Sequence, residues 1–215
     1  MTQRLHFSSR EEWLAGRAAI GGIGASEAAA ALGESKWKSR LDLWREKTGR
    51  KTPEDLSGVE EVQRGIRMES AVRAVFAANH PELTVTHHPF DILYQAERPW
   101  LFATLDGETE DRETGERGVL EIKNVTPRNR EDWETWENGV PGDYYRQTLH
   151  QHLATGRTKI WLAAFLYRMN GDIIYREYEF HPADLVLDAA AVLQGEELFM
   201  EYVQADAPPP TPIRL

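Results

Sequence analysis

The chain has no cysteine in 215 residues. That excludes disulfides, thiolate zinc sites and cysteine nucleophiles, and it fits a cytoplasmic protein. A basic surplus is also missing, since 25 Lys and Arg stand against 35 Asp and Glu, a net charge of −10. Polyanion binders usually carry the opposite balance. A carboxylate cluster that holds divalent cations adds negative charge, however, and the bound metal reverses the local field. The acidic balance therefore weakens the case for a nucleic-acid partner without excluding one. No stretch approaches the roughly 20 apolar residues needed to cross a bilayer, so no membrane partner is expected. The segment from Met1 to Trp13 lacks the apolar core of a signal peptide. What is present is ordinary for a globular protein: 41% hydrophobic and 28% charged residues. Residues 1–206 are ample for a single domain with its own core, and 207–215, with four prolines, read as an extended tail.

The first half of the chain patterns as helix. Ser9 caps a short helix over Arg10 to Ala15, with Glu12 at the capping-box position. Gly21, Gly22 and Gly24 form a turn, and Ser26 stands before an alanine-rich helix ending near Leu32. Arg40 to Lys47 reads as a helix stopped at Gly49, and Val59 to Asn79 as a long one ended by Pro81. The middle reads as strands: Leu83 to His87, Phe90 to Tyr94, Trp100 to Asp106 and Gly118 to Val125. The polar stretch from Gly107 to Arg117 makes the last two a hairpin. Asp143 to Thr155 returns to helix. Lys159 to Tyr167 and Ile173 to Phe180 are strands, and His181 to Gln204 is a final helix with Pro182 in its first turn. The order predicts an α/β or α+β domain with one central mixed sheet flanked by helices.

Within that frame, Asp106 and Glu121 lie fifteen positions apart on the two strands of the expected hairpin. Side chains at i and i+2 of a strand share a face, so Glu121 and Lys123 point together while Ile122 faces the core. Two carboxylates and an ammonium at one sheet edge are what metal-assisted phosphodiester hydrolysis needs. Mg²⁺ takes oxygen ligands and tolerates few protein carboxylates, and an ammonium beside it stabilises developing negative charge. Each signal alone has a plainer reading. Glu-x-Lys is commonplace on a solvated strand, and Asp-Gly is usually a turn. Glu69 on an amphipathic helix is by default a surface residue. Gln147 and Gln151, at i and i+4, form an exposed helix face unless something covers it. The glycine turn lacks the Gly-Lys-Ser/Thr of a nucleotide loop, and the seven histidines show no zinc spacing. Trp133 and Trp136 read as packing residues, with base stacking open.

Taken in order, these residues resemble the PD-(D/E)xK nucleases and, within them, the YqaJ-like viral recombinases of the phage lambda exonuclease group. Four blocks between about Arg17 and Tyr167 carry the likeness: Gly24-Ala25-Ser26-Glu27, Arg64 to Glu69, Leu105-Asp106-Gly107 with Leu120 to Lys123, and Tyr144 to Gln147 with His150-Gln151. The resemblance implies a restriction-endonuclease-like core. It makes Asp106, Glu121 and the Ile122 carbonyl metal ligands, Glu69 an acid supplied from the long helix, Lys123 the group that positions the attacking water, and Gln147 a neighbour of the site. Arg17 and Ser26 would hold a DNA phosphate, and a helix start behind Ser26 would favour an anion physically. Leu105 stands where the motif has proline. The implied activity is 5′ to 3′ exonucleolytic hydrolysis of linear double-stranded DNA with Mg²⁺, or Mn²⁺ in its place, and two ions. The implied partners are duplex DNA with free ends, a single-strand annealing protein and further copies of the chain in a trimeric ring. Two other readings share the residues: a structure-specific or restriction-like endonuclease on the same core, and a non-catalytic DNA-binding adaptor.

Overall fold

The structure, a computed structural model, describes residues 1–210. The helices begin where short polar side chains can take up free amides. Ser9, Ser39 and Asn129 each accept from the amide three residues on, at the starts of α1 (Arg10–Ile20), α3 (Arg40–Lys47) and α5 (Arg130–Asn138). Between the first two lie β2 (Ile23–Gly24), a 3-10 turn (Ala25–Glu27) and α2 (Ala28–Leu32). The long helix α4 is Glu60–Asn79, α6 is Gly142–Thr155, and α7 is Val186–Gln204 after a 3-10 turn. The remaining strands are β1 (Thr2–His6), β3 (Leu83–Thr86), β4 (Asp91–Gln95), β5 (Arg98–Ala103), β6 (Gly107–Asp111), β7 (Arg117–Val125), β8 (Lys159–Tyr167) and β9 (Ile173–Phe180).

The mixed α/β class agrees with the sequence pattern, but the strands divide into two sheets rather than one. The first runs β1-β4-β5-β2 and the second β3-β6-β7-β8-β9. Each is antiparallel apart from one parallel pair, β5 with β2 and β7 with β8. The expected hairpin between Trp100–Asp106 and Gly118–Val125 is not formed. β5 ends at Ala103 and stays in the first sheet, and the hairpin partner of β7 is β6, inside the stretch read as a polar turn. Its glutamates are neutralised by partners distant in sequence, so β6 carries little apolar signal. Glu108 takes Arg4 at 2.7 Å and also Arg157, and Glu110 takes Arg117 at 3.0 Å. β1 escaped the pattern too, because all five of its side chains are exposed. The greater part of the proline-rich tail, 211–215, lies outside the described residues.

β7 is central to both packing layers. Leu120 and Ile122 face α4, in a cluster with Val72, Phe76, Trp161 and Phe165. Val119 faces the other way, toward Leu101, Ala103, Leu105 and Ala154 of α6. This alternation delivers the next residues on the Val119 face, Glu121 and Lys123, to the α6 side of the sheet. α6 itself connects β7 to β8 and lies against β4 and β5. Arg4 of β1 bridges the sheets, donating to Asp91 of β4 at 2.5 Å and to Glu108 of β6 at 2.7 Å.

Candidate active site

Asp106 sits in the link between the two sheets, three residues past β5 and one before β6. Its Oδ2 accepts from the Ile122 amide at 2.9 Å, which fixes the carboxylate against β7. Gly107 makes this approach possible: a Cβ there would lie 3.1 Å from the Leu120 side chain opposite. Asp-Gly is here a strand start, not a turn. Glu121, 2% exposed, is held from three directions. Lys123 Nζ donates to its Oε1 at 2.6 Å, Gln147 Nε2 to the same oxygen at 2.7 Å, and Gln151 Nε2 to Oε2 at 2.5 Å. Lys123 Nζ donates also to Gln147 Oε1 at 2.9 Å and lies 4.7 Å from the centroid of the Tyr144 ring. One turn of α6 thus grips both oxygens of one carboxylate.

The charges follow from burial and proximity. Burial, then the Glu121 carboxylate, pushes the Asp106 carboxyl well above the usual range, against the pull of Lys123. Burial alone would favour a neutral Lys123, but Glu121 and Asp106 outweigh it and hold the ammonium above its ordinary value. Glu69 on α4 is raised by burial and by Glu121, with Arg73 pulling the other way. The site therefore holds one firmly ionised pair, Glu121 with Lys123, and further carboxyls short of positive charge.

That shortage bears on a metal. Among the described residues no three acidic or histidine side chains gather into a ready cation cage, so Glu69 does not close a cluster with Asp106 and Glu121. Mg²⁺ does not need one, since it keeps several waters and binds through one or two carboxylates. The carboxylates of Asp106 and Glu121 and the Ile122 carbonyl are hard oxygen donors of that kind. The elevated Asp106 carboxyl is what two acids lacking a counter-cation produce, and a divalent cation would relieve it. The donor set fits the ion.

The two phosphate candidates share one corner. The Arg17 guanidinium lies 4.8 Å from the Trp13 ring centroid and 5.2 Å from that of Phe102. It also rests against Gly24, where a Cβ would come within 2.7 Å of it. Burial lowers its pKa and Glu27 partly restores it. Glu27 itself is taken by Lys47 at 2.7 Å and by the Gly24 amide at 2.9 Å. Ser26, exposed, lies in the same 3-10 turn. α2 has only five residues, so the segment presents a hydroxyl and a guanidinium rather than the end of a long helix.

Sequence reasoning missed two residues here. Gln151 is fully buried against Glu121, not on an exposed face. Its spacing of four from Gln147 was the available signal. Arg73, one turn beyond Glu69, donates from Nε to the Asp106 carbonyl at 2.8 Å. Trp136 is buried, as a packing residue should be, and His87 and His88 are exposed.

Residues 12–158 match the family model described as the YqaJ-like viral recombinase domain. The uncharacterized protein YqaJ of Bacillus subtilis (strain 168) is 29% identical over 209 residues, which cover 91% of this chain and 63% of that protein. The chain thus spans less than two thirds of that relative's length. Among solved structures, the alkaline exonuclease LHK-Exo of Laribacter hongkongensis superposes with a TM-score of 0.62 at 22% identity, over 91% of this chain and 93% of that one. Its complex with dAMP gives 0.58 at 24% identity, over the same shares. At these identities the likeness establishes a common fold.

Proposed function

Since the chain belongs to the YqaJ-like viral recombinase domain family, we propose that it is a metal-dependent exonuclease that degrades linear double-stranded DNA from 5′ ends. The observation that carries this reading is the grip on Glu121 by Lys123, Gln147 and Gln151, beside a carboxyl at Asp106 anchored to the Ile122 amide. Mg²⁺ or Mn²⁺, two ions at full occupancy, would be held by Asp106, Glu121 and the Ile122 carbonyl and would polarise the phosphate and acidify water. Gln147 and Gln151 keep the Glu121 carboxylate from rotating. Lys123, fixed by Glu121 and Gln147, orients the attacking water and opposes charge developing on the phosphate oxygens. Glu69 adds negative potential from α4.

Arg17 and Ser26 form the proposed pocket for the terminal 5′-phosphate. Among the described residues no carboxylate hydrogen-bonds the Arg17 guanidinium, whose planar donors suit a phosphate. Arg17→Ala should reduce the preference for 5′-phosphorylated over 5′-hydroxyl ends, measured as the ratio of initial digestion rates. An unchanged ratio would remove this pocket from the account. An annealing partner and a homo-oligomeric ring belong to the same proposal on the strength of the resemblance, and light scattering tests the second.

The experiment for the activity sets linear duplex DNA beside a closed circle, with Mg²⁺ or with EDTA. Mg²⁺-dependent loss of the linear DNA alone, with mononucleotides released, is expected. Cutting of the circle would make the protein an endonuclease on the same core, and no cleavage of either would favour the adaptor reading.

A further inference from the structure

Outside the catalytic cluster, one surface feature is left without a role. Trp37 is 77% exposed, the most exposed of the seven tryptophans' large rings among the strongly solvated apolar side chains. Its loop is built to hold it there. Ser35 Oγ accepts from the Trp37 amide at 3.1 Å and from the Lys38 amide at 3.4 Å. Asp143, in the first turn of α6, accepts from the Lys36 amide at 3.3 Å and from Ser35 Oγ at 3.4 Å. The helix that carries Gln147 and Gln151 thus also fixes the loop that presents Trp37.

Trp37 forms one wall of a cleft of about 170 Å³. Val125 and Pro127, at the end of β7, and Tyr144 supply the apolar remainder. Val125 lies two residues beyond Lys123 on that strand, and the Tyr144 ring sits 4.7 Å from Lys123 Nζ. The cleft therefore opens directly beside the proposed catalytic centre. Two carboxylates line it, but both are committed to backbone amides: Asp143 to the Trp37 loop, and Asp132 to the Arg128 amide at 3.0 Å. Lys36 and Arg128 also line it, both exposed and neither paired with a carboxylate among the described residues. In a chain of net charge −10, an aromatic wall flanked by two unpaired cations favours a ligand that is flat, apolar-faced and anionic.

Resting on the nuclease reading, we propose that this cleft is a base subsite: it takes the nucleobase of an unpaired nucleotide next to the scissile phosphate, stacked on Trp37, with Lys36 and Arg128 on the flanking phosphates. Opening the last base pair at a duplex end would supply such a nucleotide, and stacking would offset the lost pairing.

The test is the affinity of the full chain for a short 5′-phosphorylated single strand carrying a 3′ fluorophore, read by anisotropy with Ca²⁺ replacing Mg²⁺. Trp37→Ala should weaken binding roughly tenfold, and Trp37→Phe should restore most of it. Lys36→Ala with Arg128→Ala should flatten the dependence of log affinity on log salt by about one unit. Binding by Trp37→Ala within about twofold of wild type, in a chain that cleaves duplex DNA normally, would overturn the subsite and leave the nuclease intact. A wild-type chain that neither binds nor cleaves would overturn both. If light scattering shows wild-type copies associating through Trp37 while the alanine variant is smaller with undiminished DNA affinity, the ring is covered by a second copy and the proposal fails.

Discussion

At Glu121 three donors converge on two oxygens, and only one of the donors is charged. Lys123→Ala removes that charge and should lower the rate of nucleotide release by on the order of 10²–10³, the cost of losing one preorganised donor, while circular dichroism stays that of the wild type. Activity like the wild type's would take Lys123 out of the mechanism. At Asp106 the raised carboxyl must give up its proton to become a ligand, so Mg²⁺ affinity should tighten as pH rises through that raised value. Titration calorimetry at a series of pH values checks the direction. His150 is the buried counterpart away from the site, its Nδ1 2.7 Å from Glu196 Oε1 and its Nε2 2.9 Å from the Phe102 carbonyl. Burial lowers its pKa, but Glu196 more than reverses this, so the folded value lies above the ordinary 6.5. Stabilisation from the pair is therefore complete below about pH 6.5 and is lost as pH rises through the folded value. The thermal midpoint should fall across that range, and His150→Asn should lose that part of the slope. The pairing of Glu121 with Lys123 was legible in the sequence because strand alternation alone puts i and i+2 together. Gln151 and Arg73 were not, because their contacts depend on α6 and α4 closing over opposite sides of β7.

Strand identity shows where periodicity works and where it stops. β8, nearly all apolar, and α3, bounded by Ser39 and Gly49, stand close to where their patterns put them. β6 alternates too, but with Gly107 and Thr109 facing inward and glutamates outward, and its stability comes from Arg4 and Arg157, far away in the chain. No local window contains those partners, so the hairpin was assigned to β5 instead. The close approach of β2 to β5 is another long-range constraint, and it explains the middle glycine of the turn. A Cβ on Gly22 would fall 1.9 Å from the Trp100 carbonyl oxygen, so Gly22→Ala must push the strands apart. It should destabilise the chain by about 1–3 kcal/mol, measured by chemical denaturation. Gly65, inside α4, has nothing within 4 Å of its Cβ position. Gly65→Ala should instead gain up to about 1 kcal/mol from helix propensity. Equal effects at the two positions would contradict the packing described.

Over the whole molecule, two sheets meet along one line, and the catalytic candidates lie on it: Asp106 in the link, Glu121 and Lys123 on the strand beyond. The ion network of Arg4, Asp91, Glu108 and Arg157 fastens the same junction from the far side of the link. The net charge of −10 is in keeping with a protein whose site is completed by cations, and no helix of the described residues is long and apolar enough to cross a membrane. The fold class was legible from element order, since helix and strand patterns alternate. The division into two sheets was not, because it turns on which strand pairs with which. The most direct test of the central claim is the time course of nucleotide release from a linear 5′-phosphorylated duplex by the wild type and by Glu121→Gln, each with Mg²⁺ and with EDTA. The account predicts steady release by the wild type with Mg²⁺ and none in the other three reactions. Release by Glu121→Gln at the wild-type rate, or by the wild type in EDTA, would contradict it.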